Sequence, residues 1–246
     1  MDEASTSPNP ATVIAVVVAA GIGSRFGSKI PKQVHTICGQ SLISLSVKSL
    51  VAAGCQQVTV VIKEEIRDEV SELLADIDVP VSLVPGGNTR QESVLCGLLD
   101  LQTRVDLSDD DVILIHDAVR PLAPASMIRR VIDAVRDGAA AVTPVINVAD
   151  SIRMVNPAGS NQIVDRDILR AIQTPQGFQA KAIIDSHLSC RGTVAVTDDV
   201  SCCEHCGYPV TLVEGSDLAM KITRRSDLDI AQSLIRQHPE MKDLGL

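Results

Sequence analysis

Val13–Ala20 is the segment that most limits what this chain can fold into. Side chains on a strand alternate between faces, so an unbroken apolar run reads as a strand covered on both sides. It is also far too short to span a bilayer. A Gly-rich loop follows to about Gly39, and then β-rich and helical stretches alternate. Strands read at Gln57–Ile62, Val81–Val84, Asp111–Ile115, Ala139–Val148 and Pro209–Val213. Helices read at Ser41–Ala53, Glu64–Ala75, Gln91–Leu101, Ala125–Arg136, Lys181–Leu188, Asp198–Cys206 and Asp227–Gln237. This order predicts an α/β fold: a doubly wound, mostly parallel sheet with right-handed crossovers. One stretch breaks the pattern. Ser151–Val155 and Gln162–Val164 flank the turn Asn156-Pro157-Ala158-Gly159-Ser160, which predicts a β-hairpin arm inserted at about residues 147–170. A hairpin is marginal alone in water, so the arm is expected to pack against something, such as another subunit. Residues 1–11 read as a loose polar tail with no signal peptide, and 12–246 as one domain.

The core has to be aliphatic. The 246 residues include no Trp, one Tyr and two Phe, too few rings for a platform that stacks single-stranded bases. A net charge of −9 leaves no overall basic field for nucleic acid or an anionic membrane, although local Lys and Arg can still hold a small anion. With no secretion signal, the seven cysteines read as reduced thiols and the chain as cytoplasmic. Cys203 and Cys206 have zinc-like spacing with His205 between them. No second pair completes four ligands, so Cys202 and Cys206 read as apolar residues on one helix face.

Ligands of open parallel sheets bind beyond the carboxyl ends of the strands, so the segments after each strand are where a site is expected. The first strand leads into Ala19-Ala20-Gly21-Ile22-Gly23-Ser24-Arg25-Phe26-Gly27 and then Pro31-Lys32-Gln33. Small residues let backbone N–H groups approach a ligand, and Arg25 and Lys32 add charge suited to polyphosphate. Gly27 comes one residue late for a dinucleotide fingerprint, and no P-loop pattern is present. Later strands lead into Gly86-Gly87-Asn88-Thr89-Arg90-Gln91-Glu92-Ser93 and His116-Asp117-Ala118-Val119-Arg120-Pro121. Arg166, Gln173-Thr174-Pro175-Gln176, Thr197-Asp198-Asp199 and Lys221-Ile222-Thr223 follow. Singly, Arg90, Arg120 and Arg166 also fit solvated surface charges, and His116 a satisfied core histidine. What the bland reading leaves unexplained is the recurrence of basic residues at strand ends.

These motifs, in this order from Val13 to Leu234, resemble the 2-C-methyl-D-erythritol 4-phosphate cytidylyltransferases. The resemblance implies transfer of CMP from CTP to that polyol phosphate, with release of pyrophosphate and no protein nucleophile. It implies Arg25 and Lys32 as catalytic cations and Arg166 and Lys221 as residues positioning the acceptor phosphate. The implied CTP site is Ala19, Ala20, Gly21, Gly23, Gly87, Asn88, Arg90, Ser93 and Ala118. The implied acceptor site is Asp117, Arg120, Ser151, Thr174 and Thr197. Mg²⁺ would be held mainly by the triphosphate, with no metal-ligating side chain. The arm would make a homodimer and bring Arg166 into the partner's site. Asn88, Ser151 and Ala219 stand where the family often has Asp, Thr and Asn. The overlapping alternatives are a cytidylyltransferase acting on D-ribitol 5-phosphate and a non-catalytic nucleotide-binding protein of the same fold.

Overall fold

The structure, a computed structural model, describes residues 11–21, 26–27, 30–192 and 196–238. The apolar run forms β1 (Val13–Val18), and its residues divide by parity. Val13, Ala15 and Val17 join one aliphatic cluster, while Ile14 and Val16 join a second on the opposite face. That division is why no polar residue is tolerated in the run. A two-residue ribbon, β2 (Thr36–Ile37) and β3 (Gln40–Ser41), precedes α1 (Leu42–Ala52), β4 (Gln57–Ile62) and α2 (Arg67–Leu73). Next come β5 (Val81–Pro85), α3 (Arg90–Arg104), β6 (Val112–Asp117), α4 (Ala125–Arg136) and β7 (Ala141–Asn147). The arm is β8 (Ile152–Val155) and β9 (Asn161–Val164), and the chain returns through β10 (Arg170–Ile172) and β11 (Gln176–Gln179). It closes with α5 (Ala180–Ser189), α6 (Asp199–His205), β12 (Val210–Glu214) and α7 (Ser226–Gln237).

β6, β1, β4 and β5 lie side by side and pair in parallel. β11 runs antiparallel between β6 and β7, β10 pairs farther along β7, and β12 pairs with β7 in parallel. Helices cover both faces: α1, α2 and α4 pack on the first cluster, and α3, α5 and α6 on the second. A third cluster joins Phe26, Ile37, Leu42 and Leu45 to Ile222 and to Ala231 of α7. The expected doubly wound, mostly parallel architecture is therefore present.

Three local readings change. β10 and β11 replace what read as loop, and the ribbon β2–β3 interrupts the long Gly-rich segment. Cys206 is exposed: α6 ends at His205, so Cys202 and Cys203 do the packing instead. Phe178 sits fully buried on β11 inside the second cluster, and the Phe26 ring meets that of His35 at 4.8 Å in a tilted contact. Among the described residues, no helix is long and apolar enough to cross a membrane.

Candidate active site

The carboxyl ends of β1, β4, β5 and β6 open together into one cleft of about 740 Å³. Ladder-like hydrogen bonds continue past the strands and shape its floor. Ala19 N–H donates to Val61 O at 2.7 Å, Gly86 N–H to Ile62 O at 2.8 Å and Ala118 N–H to Val18 O at 3.2 Å. Gly86 has to be glycine, since a Cβ there would stand 2.5 Å from that of Ala20. Gln33, buried under the loop, donates from Nε2 to Ala19 O at 2.5 Å and so fixes the backbone of the first strand end.

At the far wall α3 starts with a capping box. Thr89 Oγ1 accepts from Glu92 N–H at 3.0 Å, and Glu92 Oε2 accepts from the N–H groups of Thr89 at 3.2 Å and Asn88 at 2.7 Å. Ser93 Oγ accepts from Gly87 N–H at 3.2 Å and donates to Thr89 O at 2.8 Å. These internal bonds rigidify the Gly86–Thr89 loop, all four residues of which line the cleft.

Opposite this wall, charges alternate through a chain of contacts. Asp117, at the last position of β6, accepts from Lys221 Nζ at 2.6 Å through Oδ2 and from Arg90 Nε at 3.2 Å through Oδ1. Arg90 Nη2 meets Asp199 at 2.7 Å, and Asp199 meets His187 Nε2 at 3.2 Å. Burial alone would raise the Asp117 carboxyl, but Arg90 and Lys221 outweigh it and hold it far below the usual carboxylate range. Asp199 is lowered by the same balance, with Arg90 and His187 opposing burial. Burial disfavours the Arg90 guanidinium, yet its two carboxylate partners raise its pKa further.

Beneath Asp117 a second set of bonds fixes its backbone. Asp117 N–H donates to Thr174 Oγ1 at 3.0 Å, and Thr174 is paired with His116 Nδ1 at 3.0 Å. His116 Nε2 lies 3.3 Å from Arg120 O. A carbonyl only accepts, so Nε2 carries the proton and Nδ1 accepts from the Thr174 hydroxyl. Burial lowers His116 to about 4, so the ring is neutral near pH 7 and is a satisfied core histidine.

The cleft brings together Ala19, Ala20, Gly21, Lys32, Gly87, Asn88, Arg90, Ser93, Asp117 and Lys221 of the residues singled out above. It does not bring in all of them. Ala118 is buried in the first cluster, with its carbonyl accepting from Ser46 Oγ at 3.0 Å. Thr174 is buried and occupied with Asp117 and His116. Arg120 donates to Ala219 O at 2.7 Å and Ile172 O at 3.3 Å, stitching the segment before Lys221 to β10. Ser151, Arg166 and Thr197 are exposed and do not line the cleft of this chain. Arg166, on a 3-10 turn after β9, donates to Ala149 O on the arm. Arg25 and Gly23 lie outside the described residues. Sequence reasoning gave Gln33 no role, although Pro31-Lys32-Gln33 stood among the motifs, and missed the Lys63-Glu64-Glu65 wall after β4, which carries no recognisable motif. It also passed over Asp199, although Thr197-Asp198-Asp199 stood among the motifs.

A family model described as 2-C-methyl-D-erythritol 4-phosphate cytidylyltransferase matches residues 13–237. The chain belongs to this family. As a cytidylyltransferase it is 37% identical over 246 residues to a Streptomyces avermitilis protein of that name, covering 95% of this chain and 96% of the other. A Saccharopolyspora erythraea cytidylyltransferase of the same name is 40% identical over 228 residues, covering 91% and 99%. The crystal structure of the Thermus thermophilus enzyme of that name superposes with a TM-score of 0.73 at 28% identity, covering 90% of this cytidylyltransferase and 98% of that chain. A second structure, 4-diphosphocytidyl-2C-methyl-D-erythritol synthase from Anaerococcus prevotii, has a TM-score of 0.79 at 23% identity, over 92% and 97%, and supports the fold alone.

Proposed function

We propose that this chain transfers CMP from CTP to 2-C-methyl-D-erythritol 4-phosphate, giving 4-diphosphocytidyl-2-C-methyl-D-erythritol and pyrophosphate in the non-mevalonate route to isoprenoid precursors. The observation that carries the reading is that Lys32, Lys221 and the Gly86–Thr89 loop line one cleft at the ends of parallel strands. An oxygen of the acceptor phosphate attacks the α-phosphorus in line. The new O–P bond forms as the bond to the β-phosphate oxygen breaks, and pyrophosphate leaves with that electron pair. A phosphate monoester is largely a dianion at neutral pH, so the attacking oxygen needs no general base. What the protein supplies is positive charge, both to bring two anions together and to stabilise charge building at phosphorus. Arg25 and Lys32 do this at the triphosphate, and Lys221 receives the acceptor phosphate.

The polar set of the cleft suits a Mg²⁺ ion carried in on the triphosphate. Both oxygens of Asp117 are engaged by cations, and Glu64 is held by Arg67 at 2.6 and 2.8 Å. The ion would be held by the phosphate oxygens and would offset their charge when bound. The arm supports a homodimer, because Met154 is 54%, Val155 66% and Ile163 63% exposed on a hairpin that cannot cover them itself. Val155 and Ile163 share one face of the ribbon and Met154 lies on the other, so a second copy would cover the Val155–Ile163 face and receive Arg166 beside its acceptor phosphate. Seven unpaired cysteines support a cytoplasmic setting.

The test is to incubate the protein with CTP, Mg²⁺ and the methylerythritol phosphate. The expected outcome is a cytidine diphosphate polyol by mass spectrometry, formed one-to-one with pyrophosphate. CTP binding without any product, with this polyol phosphate or with D-ribitol 5-phosphate, would instead leave a nucleotide-binding protein.

A further inference from the structure

Asp199 is the more deeply buried of the two carboxylates in the charged chain, 1% exposed on the first turn of α6. Its carboxylate faces Arg90 Nη2 at 2.7 Å on one side and His187 Nε2 at 3.2 Å on the other. Its backbone is fixed as well: the N–H groups of Asp199 and Val200 both donate to Gln176 Oε1 at 3.1 Å. Arg90 thus bridges two buried carboxylates, Asp117 through Nε and Asp199 through Nη2. Lys221 differs. It is 41% exposed, and among the described residues Asp117 is the one side-chain partner the structure gives its Nζ, so it can turn toward a phosphate while Arg90 cannot. Turning away would strip Asp117 of one counter-charge, and a buried carboxylate left alone is costly.

We propose that Asp199 is a positioning residue for the acceptor end: by pinning the Arg90 guanidinium beside Asp117, it leaves Lys221 free for the acceptor phosphate. Arg90 is then a standing counter-charge, not a ligand of CTP. This rests on the transfer reaction proposed above. A guanidinium suits the role because its fork can hold two carboxylates at once and it stays charged throughout.

The experiment is a steady-state comparison of Asp199→Asn and Arg90→Gln with wild type, varying CTP and the methylerythritol phosphate separately at fixed Mg²⁺. Thermal melts fix the folded fraction of each. Each variant is expected to raise the acceptor KM tenfold or more while the CTP KM stays within about twofold. The double variant is expected to be no worse than Arg90→Gln, since Asp199 acts through Arg90. A CTP KM that rises as much as the acceptor KM, or additive losses in the double variant, would overturn the proposal. So would a fall in kcat alone that follows the folded fraction. Should Asp199→Asn fail to fold, Arg90→Gln, which leaves Asp199 paired with His187, reads the same split. If wild type turns over only D-ribitol 5-phosphate, the acceptor assignment falls and the split is read with that substrate. If it turns over neither, calorimetric CTP affinity of Arg90→Gln decides, with an unchanged Kd expected and a loss contradictory.

Discussion

The Asp117–Asp199 end of the cleft and the hairpin arm are opposites in how their chemistry is satisfied. At the cleft, Asp117 and Asp199 are buried carboxylates whose counter-charges come from the same chain. On the arm, Met154, Val155, Ile163 and Arg166 stand exposed at the surface of that chain. Burial is costly for a charge and favourable for a methyl group, so each region departs from the ordinary arrangement in its own direction. The cleft sustains its departure because the partners are built in. The arm's apolar side chains stay exposed among the described residues, which is the physical argument for the second copy proposed above.

The sharpest way to break the comparison is to remove a cation from the cleft. Lys32→Ala is expected to lower kcat by about 10³-fold, and Arg25→Ala comparably, while the melting temperature holds, because in the proposed reaction each supplies positive charge to the transition state. Rapid-quench turnover beside a thermal melt checks this, and undiminished kcat in both variants would end their assigned role. Ile163→Asp on the arm is expected to shift the mass by light scattering to that of one chain. Activity should then fall at least tenfold with the chain still folded. An unchanged mass would show that the arm's apolar face is not the contact.

Beneath the cleft, the acid sensitivity of the fold should trace to His116. In the unfolded chain it titrates near its ordinary 6.5 and in the folded chain near 4, so between those values the unfolded state binds more protons. Its contribution is complete above pH 6.5 and is lost as pH falls toward 4, by about 3 kcal/mol in all. His116→Gln should flatten that part of the urea-denaturation profile, and an equally steep loss would mean other groups set it. The smallest effect belongs to packing. Gly177 on β11 has Val131 Cγ1 2.4 Å from where a Cβ would sit, so Gly177→Ala should cost about 1–3 kcal/mol in the same assay without changing the KM of either substrate.

The two regions also differ in how far they could be read from the sequence. The arm was legible because a turn signal between alternating runs needs no knowledge of neighbours, and α4 and β4 lie where periodicity placed them. β11 was not, since Gln176-Gly177-Phe178-Gln179 follows a proline and lacks β-branched residues. It is a strand because β6 and β7 flank it and because the Gln176 amide finds Thr143, Asp198 and the start of α6. Tertiary context outweighs propensity there. At the site, Lys32, Asp117 and Lys221 could be picked out because each lies in a recognisable motif at or after a strand end. Asp199 could not, because its meaning comes from meeting Arg90, a residue far away in sequence. Arg120 and Thr174 carry the right chemistry for a substrate, but it is taken up by Ala219, Ile172, His116 and Asp117 instead. A one-dimensional reading sees donors and acceptors and cannot see which are already occupied.

The most direct measurement offers both acceptors to the enzyme in one tube. With limiting CTP and Mg²⁺ and equal amounts of 2-C-methyl-D-erythritol 4-phosphate and D-ribitol 5-phosphate, ³¹P NMR follows the two diphosphate products together, so their ratio equals the ratio of kcat/KM. The account predicts that the methylerythritol product dominates by at least tenfold. Faster formation of the ribitol product would contradict it.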